Sequence, residues 1–274
     1  MTINNNVGSS LPTTSPDMST LFWNDIKPLF DRILSHPLIT AIKNVTIDTN
    51  QLVLFVIQSR LVIADVVRAL AILASRAPAI EVTVVVSNAV IAVAELKAAH
   101  DRHLGRFNID PAALDRANYS PNALMAGSHA IRMAHERPFH EALASILPLL
   151  WVNVAVASSI QKAGLGQPAS ASSHQIREFC TQVIEMFSTS NLAKATTSLI
   201  TLIDRIDSDG ATSAISHTHQ VLSIGDAANM PQMVTNSPPL FESDRLAMRR
   251  HFSQGTKCVW LLYECCINNQ SWTI

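Results

Sequence analysis

Charge is scarce in this chain: 15% of its 274 residues are Asp, Glu, Lys or Arg, and their formal sum is −1. With two tyrosines and no basic stripe, the groups that grip and stack on a nucleic acid are missing, so no nucleic-acid partner is expected. Glycine is also sparse, at eight residues. Neither G-x-x-x-x-G-K nor G-x-G-x-x-G occurs, which removes the usual phosphate-cradling loops. The four cysteines, Cys180, Cys258, Cys265 and Cys266, contain no C-x-x-C pair. That argues against a zinc ribbon or a thioredoxin-like site. Adjacent Cys265 and Cys266 on a helical pattern are expected to point apart, which disfavours a mutual disulfide. All four read as reduced thiols of a cytoplasmic protein.

Apolar residues are plentiful, at 48%, so a sizeable core is available. Residues 1–20, rich in Asn, Ser and Thr, lack the charged start and apolar centre of a signal peptide and read as a disordered leader. Ala142 to Gln161 carries no formal charge and has the length of a membrane span. Pro148, Asn153 and three serines dilute it, and no basic flank orients it. It reads as a buried central helix, with no membrane span expected.

Helical spacing dominates the rest. Ile26, Leu29, Phe30, Ile33 and Leu34 form one apolar face over Asp25 to Leu34, and His36-Pro37 breaks it. Gln51 to Ala74 is apolar nearly all round, as a buried helix is. Glu81 to Ala99 is valine-rich enough for a strand, but its length favours a helix. A short helical turn is expected at Pro111 to Asp115 and a helix from Pro121 to His135. Pro138 opens the central helix. Ser172 and Ser173 are expected to cap a helix from His174 to Phe187. Helices follow over Leu192 to Ile206 and Asp244 to Ile267, with a polar insertion at about 207–243, lid or disordered. The fold class is all-α, a single domain over 21–274.

Several strings then matter in their order: KPLFDRILSHPLITAI, LFVIQSRLVIADVVRAL, AELKAAHDRHLGRFNID, NYSPNAL, ILPLLWVN and CVWLLYECCINNQSW. Together they resemble the TenA/thiaminase II family, whose helical bundle is shared with haem oxygenase. The resemblance implies that bundle and a homodimer or homotetramer. A thiaminase II uses a Cys nucleophile, a Glu on the pyrimidine, an Asp on its amino group and a ring of tyrosines. On this resemblance the nucleophile's place is Leu149, the Asp is Ser59, and two tyrosines are Val62 and Asn153. The last-helix Glu is Val259 and the aromatic after it is Leu262. Tyr119 matches a pocket Tyr, and Phe187 stands where the family has another.

A leucine cannot attack carbon and a valine cannot donate a proton, so thiaminase chemistry is not expected. Val62, Leu149, Phe187, Val259 and Leu262, with Phe30 of the first helix, would instead make an aliphatic and aromatic wall. Ser59, Asn153 and Tyr119 would be neutral hydrogen-bonding tips, suited to a largely apolar small molecule. Those three could orient a substrate carbonyl, or simply satisfy each other and the backbone. Asp65 is a possible general base if burial raises its pKa. With Arg68, Glu95 and His100 it reads more simply as a structural network across helices.

His174 and Glu178 share a helical face as a metal pair would, but Gln182 one turn on is a poor ligand, and a solvated helix start is the plainer reading. His129, His135 and His140, at spacings of six and five, are expected in surface or capping roles. Cys258 has no evident base beside it. The reading reached is a cofactor-free, metal-free enzyme of specialised metabolism that cyclises, isomerises or dehydrates an apolar substrate. The alternatives are a diiron oxidase and a non-catalytic binding or assembly protein.

Overall fold

The computed structural model describes residues 16–106, 114, 116–167, 172–209 and 240–272. The expected turn at Pro111 to Asp115 and residues 210–239 of the polar insertion lie outside them, apart from Leu114. Among the described residues there are ten helices and no strand. They are α1 Met18–Leu34, α2 Pro37–Lys43, α3 Thr49–Ser75, α4 Ile80–Gly105, α5 Pro121–Glu136, α6 Phe139–Ile146, α7 Pro148–Ala163, α8 Ser172–Phe187, α9 Ser190–Asp209 and α10 Glu242–Ile267. The valine-rich stretch is therefore helical: it lies within the 26 residues of α4, packed between α3 and α9. α1 begins at Met18, inside the stretch read as leader.

Local chemistry sets the boundaries. Pro37 starts α2, and the His36 Nδ1 caps it by accepting from the Leu38 N–H at 3.1 Å. Asp48 caps α3 through the Asn50 N–H at 2.8 Å. The chain leaves α2 with the Thr46 N–H on the Ala41 carbonyl and the Val45 N–H on that of Ile42. This closing pattern puts its pivot residue in the left-handed region, normally glycine's place; here it is Val45, at φ 58°. Ser172 and Ser173 are the first residues of α8 rather than residues ahead of it. Pro148 has no N–H for the Ala144 carbonyl, so the central helix is divided at Leu147 into α6 and α7.

α3, α6 and α10 form the centre, with α1, α4, α5 and α7 packed around them. Of the most apolar window in Phe139–Ala163, 72% is buried in the bundle, as a core helix requires. α4 is different, since its outer face leaves Ile80, Val84 and Ile91 exposed. Two glycines permit close crossings: a Cβ on Gly127 would overlap the Asp65 carboxylate, and one on Gly255 would overlap the Ser145 carbonyl. A run of rings joins α1, α7 and α10. Phe22 stacks on Phe252 at 4.4 Å and Trp23 on Trp151 at 5.0 Å, with Phe30 beside Trp23 at 4.7 Å.

Candidate functional site

The six apolar residues nominated from sequence, Phe30, Val62, Leu149, Phe187, Val259 and Leu262, all belong to one buried cluster. The polar ones divide into three separate arrangements. On α3, the Asp65 Oδ2 lies 2.8 Å from the Tyr119 hydroxyl, which is also 3.1 Å from the Leu61 carbonyl. The Asp65 Oδ1 accepts from Arg68 at 2.8 Å. Burial, then the Asp65 carboxylate, pushes the Tyr119 phenol well above its ordinary value. Both groups are thus occupied: the phenol is held neutral and the carboxylate has a cation and a donor.

Asn153 is occupied as well. Its Nδ2 donates to the Leu149 carbonyl at 2.8 Å, and its Oδ1 accepts from the Tyr263 hydroxyl at 2.7 Å. Tyr263 is wholly buried, and that burial raises its pKa. Sequence reading did not single out Tyr263; its partner lies on another helix, 110 positions away.

Ser59 stands alone. It is 2% exposed, and its Oγ has no hydrogen-bond partner. A second unpartnered atom is the Nε2 of His100, which is fully buried on α4. The His100 Nδ1 lies 2.9 Å from the Leu96 carbonyl. A carbonyl only accepts, so Nδ1 carries the proton and Nε2 presents a bare lone pair. Burial lowers the His100 pKa to about 4, which keeps the ring neutral near pH 7. The edge of the ring meets Phe187, centroid to centroid 5.5 Å.

Ser59 on α3 and His100 on α4 each precede a member of the Arg60–Asp101 ion pair that links the two helices. An O–H donor on one helix and a nitrogen acceptor on the other are each buried and unengaged. An unpaired buried polar group costs about 1–3 kcal/mol, so such a pair is a natural place for a polar ligand atom.

The remaining nominations resolve simply. Glu95 accepts from Asn191 and Glu178 from Gln182, while His174 is exposed. His129 is not a surface group: its Nε2 lies 2.8 Å from the Ser145 Oγ across α5 and α6. Burial pushes the Cys258 thiol up to about 11, leaving it protonated. All four cysteines are free. The Sγ atoms of Cys265 and Cys266 lie 3.6 Å apart, however, rather than diverging. The Cys265 thiol turns back onto the Leu262 carbonyl, which brings the two together.

A surface cleft of about 460 Å³ is lined by Asn122, Trp260, Leu261, Glu264, Asn268 and Gln270. None of the nominated residues borders it. The buried His36 Nε2 lies 3.3 Å from the Oε1 of Glu264, one of the lining residues.

These features define an all-helical bundle of the TenA type, and the solved structures agree. A TenA homologue from P. horikoshii OT3 superposes with a TM-score of 0.67 at 13% identity, over 92% of this chain and 99% of its own. A TenA homologue from Pyrococcus furiosus gives 0.69 at 10% identity, over 91% and 99%. A TenA family transcription regulator from Silicibacter sp. TM1040 gives 0.70 at 13% identity, over 91% and 96%. At these identities the likeness is one of fold. The chain belongs to the TENA/THI-4/PQQC family, whose profile matches residues 23–223. No curated protein matches the sequence.

Proposed function

We propose that this protein is a soluble, cytoplasmic, non-thiaminase member of its family that binds a largely apolar small molecule in the bundle interior. The binding region is bounded by Val62, Leu149, Phe187, Val259 and Leu262. The reaction is a cofactor-free acid–base step: a cyclisation or isomerisation that moves a proton within the substrate, or a dehydration that releases it with the hydroxyl as water. One observation carries this reading: the unpartnered Ser59 Oγ on α3 and His100 Nε2 on α4, both buried. The serine hydroxyl would donate to a substrate carbonyl or hydroxyl, and the neutral imidazole would take up a proton. Tyr119, Asp65 and Asn153 are bonded to protein partners and serve in support. Leu149, at the nucleophile's place, has only carbon in its side chain.

The test is mass spectrometry of small molecules released from the native protein, with Ser59→Ala and His100→Gln compared on equal terms. The expected result is an apolar compound bearing a carbonyl or hydroxyl, retained by the native chain and lost from both variants. Equal retention by all three proteins would overturn the assignment of the polar handle. Stoichiometric iron in the native protein, with no organic compound, would favour an oxidase instead. Self-association belongs to the same proposal, and the exposed Ile80, Val84 and Ile91 on α4 support it.

A further inference from the structure

The first turn of α6 and the first turn of α10 meet at a cluster that the proposed function does not use. His140, Glu141 and Asp244 each present one ligand atom there, all within 4.8 Å of one another. We propose that these three side chains bind a divalent transition cation of the zinc class. The site would tie the start of α10 to the start of α6.

The donor chemistry selects the class. Magnesium and calcium prefer all-oxygen surroundings, whereas one imidazole nitrogen with two carboxylate oxygens suits zinc and its neighbours. Bonds of about 2.1 Å hold ligand atoms about 3–4 Å apart, so small rotations of the three side chains would close the present spacing. The His140 Nε2 is shielded from solvent and has no hydrogen-bond partner. One nitrogen of the ring lies within 4.8 Å of both carboxylates. A cation placed there would bind that nitrogen and neutralise two facing carboxylates.

The surroundings are those of a supported site. Glu141 is buried, and its Oε2 is held at 3.0 Å by the Nε2 of His251 from α10. The other ring nitrogen of His251 lies 3.2 Å from the Gln254 Oε1. A ligating carboxylate is commonly oriented by such an outer partner. His129, on the same side of the bundle, has its Nε2 engaged by Ser145 and is not a ligand through that atom. His140 and Asp244 are half-buried, which leaves a path for the ion and room for water in the remaining positions.

The test uses the full chain, stripped with a chelator and titrated with Co²⁺ as a visible reporter, followed by Zn²⁺ in competition. We expect one equivalent of Co²⁺, an absorption band displaced by Zn²⁺, and a rise in the thermal midpoint. Asp244→Asn and His140→Ala should each weaken Co²⁺ binding at least tenfold, while His174→Ala leaves it unchanged. Circular dichroism of the metal-free variants establishes their folding. If His140→Ala fails to fold, the near-isosteric Asp244→Asn decides alone. No Co²⁺ bound at one equivalent, or equal binding by native protein and Asp244→Asn, would overturn the site. Ser59 and His100 are not involved, so either outcome leaves the proposed function to its own experiment.

Discussion

The Tyr263 hydroxyl and the Asn153 side-chain carbonyl meet at 2.7 Å between α7 and α10, both sealed from solvent. Tyr263→Phe removes the donor and strands a buried acceptor. A cost of about 1–3 kcal/mol is expected. Replacing Asn153 with Leu in the same chain should recover most of it, since no polar atom is then left unpaired. Urea unfolding of the two single variants and the double variant checks this as a double-mutant cycle.

Gly127 matters for what it leaves room for. A Cβ at that position would overlap the Asp65 carboxylate that binds Tyr119. Gly127→Ala should therefore destabilise by roughly 1–3 kcal/mol, despite alanine's better helix propensity. In an Asp65→Ala background the obstruction is gone, and the same substitution should be neutral or stabilising by up to about 1 kcal/mol. Additive effects across the cycle would contradict the crossing geometry.

Buried histidines set an acid limit. His100 titrates at about 4 in the folded chain and at about 6.5 when unfolded. Above pH 6.5 both states are neutral and the burial of His100 costs nothing extra. As pH falls from 6.5 towards 4, the unfolded chain gains a proton that the folded chain refuses, so stability is lost over that window. The share of His100 is about 3 kcal/mol. His36, His103, His129 and His140 are shifted down as well and steepen the fall. Unfolding free energies measured between pH 7 and 5 should show a shallower slope for His100→Gln than for the native chain.

Much of this architecture was legible from apolar spacing, proline and length, because those act within one helix. α3 was readable as a long buried helix and α4 as a helix by its length, whereas the central helix was read as one piece and is divided at Pro148. What escaped was pairing between helices. Tyr263 with Asn153, His129 with Ser145 and Glu141 with His251 each join positions brought together only by packing. The same limit affected the site. Ser59, Asn153 and Tyr119 were nominated as one group of polar tips, but each found a different environment, and only Ser59 remained unengaged. His100 was read as part of a network with Asp65, Arg68 and Glu95, but Asp65 pairs with Arg68 and Tyr119, Glu95 with Asn191, and His100 with the Leu96 carbonyl. That the His100 Nε2 is left over follows only from the Leu96 carbonyl occupying Nδ1.

The proposed self-association has a specific handle. Ile91 is 58% exposed near the middle of α4, and Ile80 and Val84 extend the same apolar surface. Light scattering should give a mass of at least twice 29.8 kDa, and Ile91→Glu should shift the protein towards the monomer by burying a charge in the contact. An unchanged mass for Ile91→Glu would move the interface elsewhere.

Ser59→Ala separates stability from function. The hydroxyl is buried and makes no hydrogen bond within the chain, so in the empty protein it is a net cost. Removing it should stabilise the ligand-free fold by up to about 1 kcal/mol, since the desolvation penalty disappears and no bond is broken. If the hydroxyl serves a ligand, the same change should weaken retention of that compound by about tenfold, the equivalent of one hydrogen bond of about 1.4 kcal/mol. A gain in melting temperature together with a loss of bound compound is therefore the signature of a binding residue. A gain in stability with unchanged retention would mean that the hydroxyl is only a tolerated packing defect, and His100 would then have to carry the polar recognition without it.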